Sequence, residues 1–111
     1  FTDRAGRDMV LAMTHEEVVA DLLRQIVRSY RQLPAMVYHF QTKFRDEARA
    51  RGGLIRVREF VMKDSYSFDV DDAGLAASYA KHREAYIATF SRLGLDFVIV
   101  SAMAGAMGGE R

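Results

Sequence analysis

The sequence predicts an α/β fold of the α+β type, in which an antiparallel β-sheet is flanked by two helices. Residues 36–47 and 55–67 alternate polar and apolar side chains on either side of a basic loop with two adjacent glycines, a pattern typical of a two-stranded hairpin. The stretches before and after this pair repeat apolar residues every three or four positions, which indicates amphipathic helices. No repeat or linker divides the 111 residues, so we predict one domain over residues 1–111.

The first third of the chain is predicted to form a short hairpin over residues 1–11, ending in a brief apolar strand, and then a helix. Thr14 and Glu17 have the spacing of a capping box, in which each side chain satisfies a backbone N–H at the start of a helix. Pro34 is the only proline and restricts the residue before it to extended backbone. We therefore expect the helix to end near Arg31.

A second helix, a third strand and a glycine-rich tail are predicted after the hairpin. Asp69 or Asp71 is expected to cap the helix at its start, and Gly94 has the position of a C-cap. The apolar run 96–101 predicts another core strand, and the tail 102–111 allows close backbone approach to a small ligand. The helix is expected to bury a stripe that contains Leu75, Tyr79, His82, Tyr86, Phe90 and Leu93.

Composition excludes several classes of protein and of site. The chain has no cysteine, so neither a disulfide framework nor a thiolate metal site is possible. No apolar run approaches the roughly 18 residues that a membrane span requires. The net charge is only +1, yet residues 43–63 contain seven basic and three acidic residues, and such a patch attracts polyphosphate or the end of an RNA. Because the chain begins at Phe1 rather than Met, we expect it to be a piece of a longer protein.

One face of the predicted hairpin combines cationic, acidic and aromatic side chains. Arg45 and Glu47 share a face on the first strand, and Arg56, Arg58 and Phe60 share a face on the second, because side chains on a strand repeat every two residues. Guanidinium groups bind phosphate, a carboxylate can face the amino group of a base, and a ring stacks on a purine. The pattern indicates a nucleotide site on an open sheet, although charges on a solvated sheet face would alternate in the same way.

The spacing of these residues resembles a known motif. Phe-Arg-x-Glu at 44–47, a loop, and Arg-x-x-x-Phe at 56–60 are similar to motif 2 of the class II aminoacyl-tRNA synthetases. Three longer segments resemble bacterial-type prolyl-tRNA synthetases: Met-Thr-His-Glu-Glu at 13–17, Gln-Thr-Lys-Phe-Arg-Asp-Glu at 41–47, and Lys-Asp-Ser-Tyr-Ser-Phe at 63–68. The resemblance runs through nearly the whole chain and implies part of a class II catalytic core.

The resemblance implies a role in ATP binding for each residue of the hairpin face. Arg45 would be the catalytic residue, contacting the α-phosphate of ATP and the activated carboxylate of the amino acid. Glu47 would face the adenine amino group, and Phe60 would stack on the adenine. Arg56 would reach the distal phosphates, and Arg58 is the alternative because it lies on the same face.

Further roles implied by the resemblance concern the amino acid and the tRNA. Thr14 and Glu16 would hold the ring nitrogen of proline, and Asp64 would lie beside the amino-acid pocket. Thr14 also has a structural interpretation as a helix cap, and Asp64 as an acid at a strand end. Arg49 and Arg51, in the loop, would contact the acceptor end of the tRNA.

The histidines do not suggest a metal site. His39 and His82 lack neighbours at metal-ligand spacing in the sequence, so no metal site is predicted. His15 could act as a general base, but a single histidine in the first turn of a helix is more often solvated or bonded to a neighbour.

The activity implied by the resemblance is aminoacyl-tRNA ligation. ATP with Mg2+ would activate L-proline as prolyl-adenylate, and the prolyl group would pass to the 3′ end of tRNA(Pro). The longer protein would be a cytoplasmic homodimer. The chain would be a single partial catalytic domain without motifs 1 and 3 or the editing and anticodon-binding domains, and it is expected to be inactive alone. A threonyl or seryl relative, or a non-catalytic module that binds nucleotide or RNA, remains an alternative.

Overall fold

The computed structural model describes residues 1–101, which form two helices, a short 3₁₀ helix and one hairpin. The elements are α1 (Glu16–Ile26), the 3₁₀ helix (Tyr30–Gln32), β1 (Ala35–Phe44), β2 (Glu59–Phe68) and α2 (Asp72–Arg92). The chain divides into two compact units, Phe1–Leu75 and Ala76–Arg111. No helix within residues 1–101 combines the length and the apolar character that a membrane crossing requires.

The two strands form the antiparallel hairpin that the alternating pattern predicts. Their register runs from Ala35 opposite Phe68 to Phe44 opposite Glu59. The period of two therefore gives the hairpin two faces. One face carries the facing pairs His39–Asp64 and Lys43–Phe60, and the other carries the exposed side chains of Met36, Tyr38, Phe40 and Val61.

Both strands are shorter than predicted at the end where the loop joins them. Arg45 lies just beyond β1 and Arg58 just before β2, although the Arg45 N–H still donates to the Arg58 carbonyl at 2.9 Å. The ladder stops there because the Glu47 N–H donates to the Arg45 carbonyl at 2.8 Å, which turns the chain out of the sheet. Farther along the loop, Arg51 and Arg56 form an isolated antiparallel bridge.

The predicted capping box and the predicted end of α1 are wrong. The helix begins at Glu16, and its N-cap residue, His15, makes no side-chain cap bond. The hydroxyl of Thr14 donates to the Glu16 carboxylate instead, so it does not cap the helix. Helix α1 ends at Ile26, where Val27 is already extended.

A capping box does occur farther along, where it explains why the helix does not continue to Arg31. The Ser29 hydroxyl accepts a hydrogen bond from the Arg31 N–H, and the Gln32 side chain accepts from the Arg28 and Ser29 N–H groups. These side chains satisfy backbone donors that would otherwise join helix α1. The 3₁₀ helix Tyr30–Gln32 begins at this box.

Both predicted ends of α2 are confirmed. Asp71 is the capping residue, because its carboxylate accepts the Gly74 N–H at 2.8 Å. At the other end Gly94 has φ +68°, its N–H donates to the Ser91 carbonyl, and the Leu95 N–H donates to the Phe90 carbonyl. These two bonds form a Schellman motif, which requires the left-handed backbone that glycine adopts at little cost.

Three other predictions about the elements fail. The predicted hairpin at the start of the chain does form, with Gly6 at φ +78° and Phe1 and Met9 exchanging two backbone bonds, but its pairing is limited to an isolated bridge and the predicted apolar strand after the turn is absent. Residues 96–101 do not form a strand, since an apolar run becomes a strand only when another strand pairs with it. The stripe on α2 is not core: Tyr79 is 62% exposed, and Tyr86 and Phe90 are also exposed. The predicted ligand-approaching tail, 102–111, lies outside the described residues.

Candidate functional site

A hollow of about 380 Å³ lies where the hairpin meets its loop. The loop turns back on itself through Gly52 and Gly53, whose φ angles of +72° and +64° lie in the left-handed region. This turn brings loop residues opposite the end of the sheet. The hollow is lined by Arg45, Glu47, Leu54, Ile55, Arg56, Val57, Phe60 and Val61.

Arg45 and Phe60 form the centre of this hollow. The Arg45 guanidinium carbon lies 5.4 Å from the centre of the Phe60 ring, in the position of a cation–π contact. The Arg45 Nε also donates to the Met13 carbonyl at 3.2 Å, so the guanidinium is held from two sides. A cation beside an aromatic face suits the phosphate and the base of one nucleotide.

Glu47 holds the two sides of the loop together through its carboxylate and its carbonyl. Its carboxylate accepts the Arg49 N–H at 2.8 Å and pairs with the Arg56 Nε at 2.9 Å, and the Glu47 carbonyl accepts the Arg58 Nε at 3.0 Å. The Arg49 backbone bond, followed by the Arg56 guanidinium, holds the pKa of the Glu47 carboxyl below its ordinary value. Arg45, Glu47, Arg56 and Phe60 thus share the hollow, whereas Arg58 is bonded to the loop backbone and does not line it.

The loop residues Arg49 and Arg51 are both exposed. Arg51 is fixed by its backbone, since its N–H donates to the Arg56 carbonyl at 2.9 Å and its carbonyl accepts the Arg56 N–H at 3.2 Å. Neither arginine lines the hollow. Their cationic side chains lie on the solvent side of the loop, where a large anionic ligand could reach them.

The segment from Ala12 to Glu16 lies against the end of β1. The Phe44 N–H donates to the Ala12 carbonyl at 2.9 Å, beside the bond from Arg45 to Met13. The Thr14 hydroxyl donates to the Glu16 carboxylate, and this bond is the largest cause of the lowered pKa of Glu16. The structure therefore brings the predicted amino-acid residues, Thr14 and Glu16, onto the same strand end as the predicted nucleotide residue Arg45.

A buried polar cluster behind this segment is absent from the sequence predictions. Lys43 has a relative exposure of 0%, and its ammonium bonds to the His15 Nδ1 and to the Asp64 carboxylate. Asp64 Oδ2 also accepts the Tyr66 hydroxyl at 3.0 Å and contacts the His39 Nε2 at 3.2 Å. Lysine is rarely buried unless it is paired. The available signal was the hairpin register, which sets His39 opposite Asp64.

The cluster changes the acidity of its members. Burial alone would raise the pKa of Asp64, but the hydrogen bonds from Lys43, His39 and Tyr66 outweigh it, and the pKa is lowered. Burial, and then the charge of Lys43, lowers the pKa of His15. Burial and the bond to Asp64 raise the pKa of Tyr66. At neutral pH the cluster thus contains an ion pair and a neutral His15.

Three members of the cluster also offer metal-ligand atoms. Atoms of His15, His39 and Asp64 lie within 4.8 Å of one another, a grouping that the sequence spacing does not indicate. The Lys43 ammonium is bonded to two of these three side chains. A metal ion would therefore have to compete with a cation that the chain itself supplies.

The two helices and the antiparallel hairpin form an α+β fragment that is consistent with a class II synthetase core. The chain belongs to the family described as the tRNA synthetase class II core domain (G, H, P, S and T), whose model matches residues 1–110. Within that class, similar proteins are named proline–tRNA ligase, and the predicted resemblance is confirmed.

Three relatives illustrate the similarity. Proline–tRNA ligase of Kineococcus radiotolerans is 63% identical over 109 residues, which are 98% of this chain and 19% of the relative. That of Kocuria rhizophila is 62% identical, with 98% of this chain and 18% of the relative covered. That of Salinispora tropica is 62% identical over 110 residues, or 99% of this chain and 18% of the relative. The chain thus spans about a fifth of the length of these relatives.

Proposed function

We propose that the chain is part of the catalytic core of a proline–tRNA ligase. In this reaction ATP and L-proline form prolyl-adenylate and pyrophosphate, and the prolyl group is then transferred to the 3′ end of tRNA(Pro) with release of AMP. The observation that carries the proposal is the position of Arg45, which stands over Phe60 in the hollow and is bonded to the segment that contains Thr14 and Glu16. One guanidinium thus lies between a nucleotide site and an amino-acid site.

The hollow suits an adenylate. The face of Phe60 offers a stacking surface for the adenine, and the Glu47 carboxylate is the acceptor for its amino group. Arg45 neutralises charge at the α-phosphate, where the proline carboxylate attacks and pyrophosphate leaves. Positioning and charge neutralisation are the main requirements of such an in-line displacement.

Arg56 is the better of the two candidates for the distal phosphates. Its Nε is paired with Glu47, but it lines the hollow and its side chain is 46% exposed, whereas Arg58 does not line the hollow. ATP brings Mg2+ as part of the substrate. We assign no residue to the ion, because Glu47, the carboxylate among the described lining residues, is the proposed acceptor for the adenine amino group.

Thr14 and Glu16 are the proposed ligands of the proline ring nitrogen. The Glu16 carboxylate supplies the charge opposite to the cationic nitrogen, and the Thr14 oxygen supplies an acceptor beside it. Asp64 is assigned a place beside the amino-acid pocket rather than in it, because its Oδ2 is bonded to Lys43, Tyr66 and His39.

Arg49 and Arg51 are the proposed contacts to the tRNA acceptor end, since both are exposed on the loop that borders the hollow. The names of the relatives support an enzyme that ligates proline to tRNA. We further propose, as the sequence resemblance implies, that the full-length protein is a cytoplasmic homodimer. The names of the relatives favour proline over threonine or serine, and they do not favour a module that only binds nucleotide or RNA.

ATP–pyrophosphate exchange by the full-length protein tests this proposal. Each of proline, threonine and serine is supplied separately, and proline alone should support exchange. Exchange with threonine or serine at a comparable rate would contradict the assigned substrate. Binding of ATP without exchange in the presence of any amino acid would favour a non-catalytic module.

A further inference from the structure

The buried cluster around Lys43 has a direct connection to the proposed proline site. His15 stands between Thr14 and Glu16 in the chain and is the N-cap residue of α1. Its imidazole bonds to the Lys43 ammonium across 28 residues of sequence. We propose that Lys43, through His15 and Asp64, is a positioning residue that sets the place and the charge balance of the Thr14–Glu16 pair for the proline nitrogen. This inference rests on the proposed function.

The bond to Lys43 determines which ring nitrogen of His15 carries the proton. An ammonium group has three donors and no acceptor, so a bond between Lys43 and the His15 Nδ1 requires that nitrogen to accept. His15 is then neutral and carries its proton on Nε2. Lys43 thereby fixes both the tautomer and the rotation of the imidazole, because a buried ring cannot turn over without losing this bond.

The position of the Thr14–Glu16 pair depends on the backbone that carries it. Three consecutive residues at the end of β1 hold three residues of the segment before α1. Lys43 bonds to the side chain of His15, the Phe44 N–H to the Ala12 carbonyl, and Arg45 to the Met13 carbonyl. The first of these bonds is made to His15, which stands between Thr14 and Glu16 in the chain. A substitution that weakens it should therefore displace the proline ligands more than the nucleotide ligands.

The Lys43–Asp64 pair also determines the charge around Glu16. Lys43 and Asp64 neutralise each other in the cluster, and within residues 1–101 no lysine, arginine or histidine pairs with Glu16 at salt-bridge distance. Glu16 is thus left to attract the cationic nitrogen of the substrate. Removal of Asp64 alone would leave an uncompensated ammonium near Glu16, which would repel that nitrogen.

The first test uses two substitutions of His15 in the full-length protein. His15→Asn keeps an acceptor oxygen near the position of Nδ1, whereas His15→Leu has none. We expect His15→Leu to raise the KM for proline in pyrophosphate exchange by about tenfold or more, which is the scale of a lost bond to a charged group. His15→Asn should change it by less than about threefold, and the KM for ATP should change by less than about threefold in both variants. Equal effects of the two variants, or an equal rise in the KM for ATP, would overturn the proposal.

The second test uses the ion pair. Lys43→Met and Asp64→Asn each leave the partner group unpaired, and each should raise the KM for proline by about tenfold to a hundredfold. The double variant removes both charges and should bind proline better than either single variant. Effects that simply multiply in the double variant would show that the pair does not act as a unit, contrary to the proposal.

A third test does not depend on the reaction. In protein with ¹⁵N-labelled histidine, the ring nitrogens of His15, assigned by their loss in His15→Asn, should report a neutral ring with the proton on Nε2. The same signal should change in Lys43→Met. A protonated ring, or a spectrum that Lys43→Met leaves unchanged, would overturn the inference. Absence of proline-dependent exchange in the wild-type protein would instead refute the proposed function, so the two failures are distinguishable.

Discussion

Phe60 provides the most direct test of the nucleotide site. Phe60→Leu keeps an apolar side chain at the edge of the sheet but removes the ring that lies 5.4 Å from the Arg45 guanidinium. Stacking of a base on an aromatic ring contributes about 1–3 kcal/mol by substitution. The cation–π contact with Arg45 is already present in the free protein, so its loss is not added to the loss of ATP binding. Leucine retains part of the apolar contact, so we expect a net loss of about 1.5–2 kcal/mol in ATP binding, or roughly tenfold to thirtyfold.

Pyrophosphate exchange by the full-length protein measures this loss. The KM for ATP should rise by the factor given above, while the KM for proline should change by less than about twofold. Phe60→Tyr is the matched control, since it keeps the ring face and should stay close to wild type. If Phe60→Leu raised the KM for proline as much as that for ATP, or if Phe60→Tyr were as impaired as Phe60→Leu, the assignment of the ring to the base would be wrong.

The other predictions concern catalysis, pH and helix stability. Arg45→Lys keeps the charge but loses the Nε bond to Met13, so adenylate formation in a single turnover should fall by about a hundredfold. A loss below about threefold would contradict the role of the Arg45 guanidinium. The pKa of Glu47 is lowered from its ordinary value of 4.5, chiefly by the Arg49 backbone N–H. The ionised Glu47 carboxylate therefore contributes fully to stability above about pH 4.5, and this contribution is lost as the pH falls below that value. Melting curves should show that Glu47→Gln loses less stability between neutral pH and about pH 3 than wild type does. Gly94→Ala should lower the free energy of unfolding, measured with denaturant, by about 1–2 kcal/mol. A Cβ at this position would meet nothing within 4 Å, so the cost comes from the φ angle of +68°. No change in this free energy would mean that the helix end relaxes.

The sequence predicted the shared face of the candidate site because a strand has a strict period of two. Arg45, Glu47 and Phe60 needed only an antiparallel hairpin to meet at one hollow, and such a hairpin formed. The same reasoning set the ends of α2, where Asp71 and Gly94 act through bonds to residues close in sequence. Local chemistry with a fixed geometry was therefore predictable.

The failures involve interactions that local pattern does not determine. Thr14 has two acceptable uses, as a helix cap or as a donor to Glu16, and the second occurs. The burial of Lys43 depends on His15, which is 28 residues away, and lysine is ordinarily an exposed residue. The apolar run at 96–101 is suited to a strand but does not form one. The burial of Lys43 thus depends on a partner distant in the chain, whereas the choice at Thr14 is between two local bonds that the sequence allows equally.

The contacts at the end of β1 have a consequence for errors in folding. Lys43, Phe44 and Arg45 each hold a different residue of the segment before α1. A slip of the hairpin by one residue would move every side chain to the opposite face of the sheet. Such a slip would expose Lys43, release His15 and turn Arg45 away from Phe60 in a single event. If the proposed function is correct, a misregistered molecule would therefore be inert toward both ATP and proline, and it could not activate the wrong amino acid.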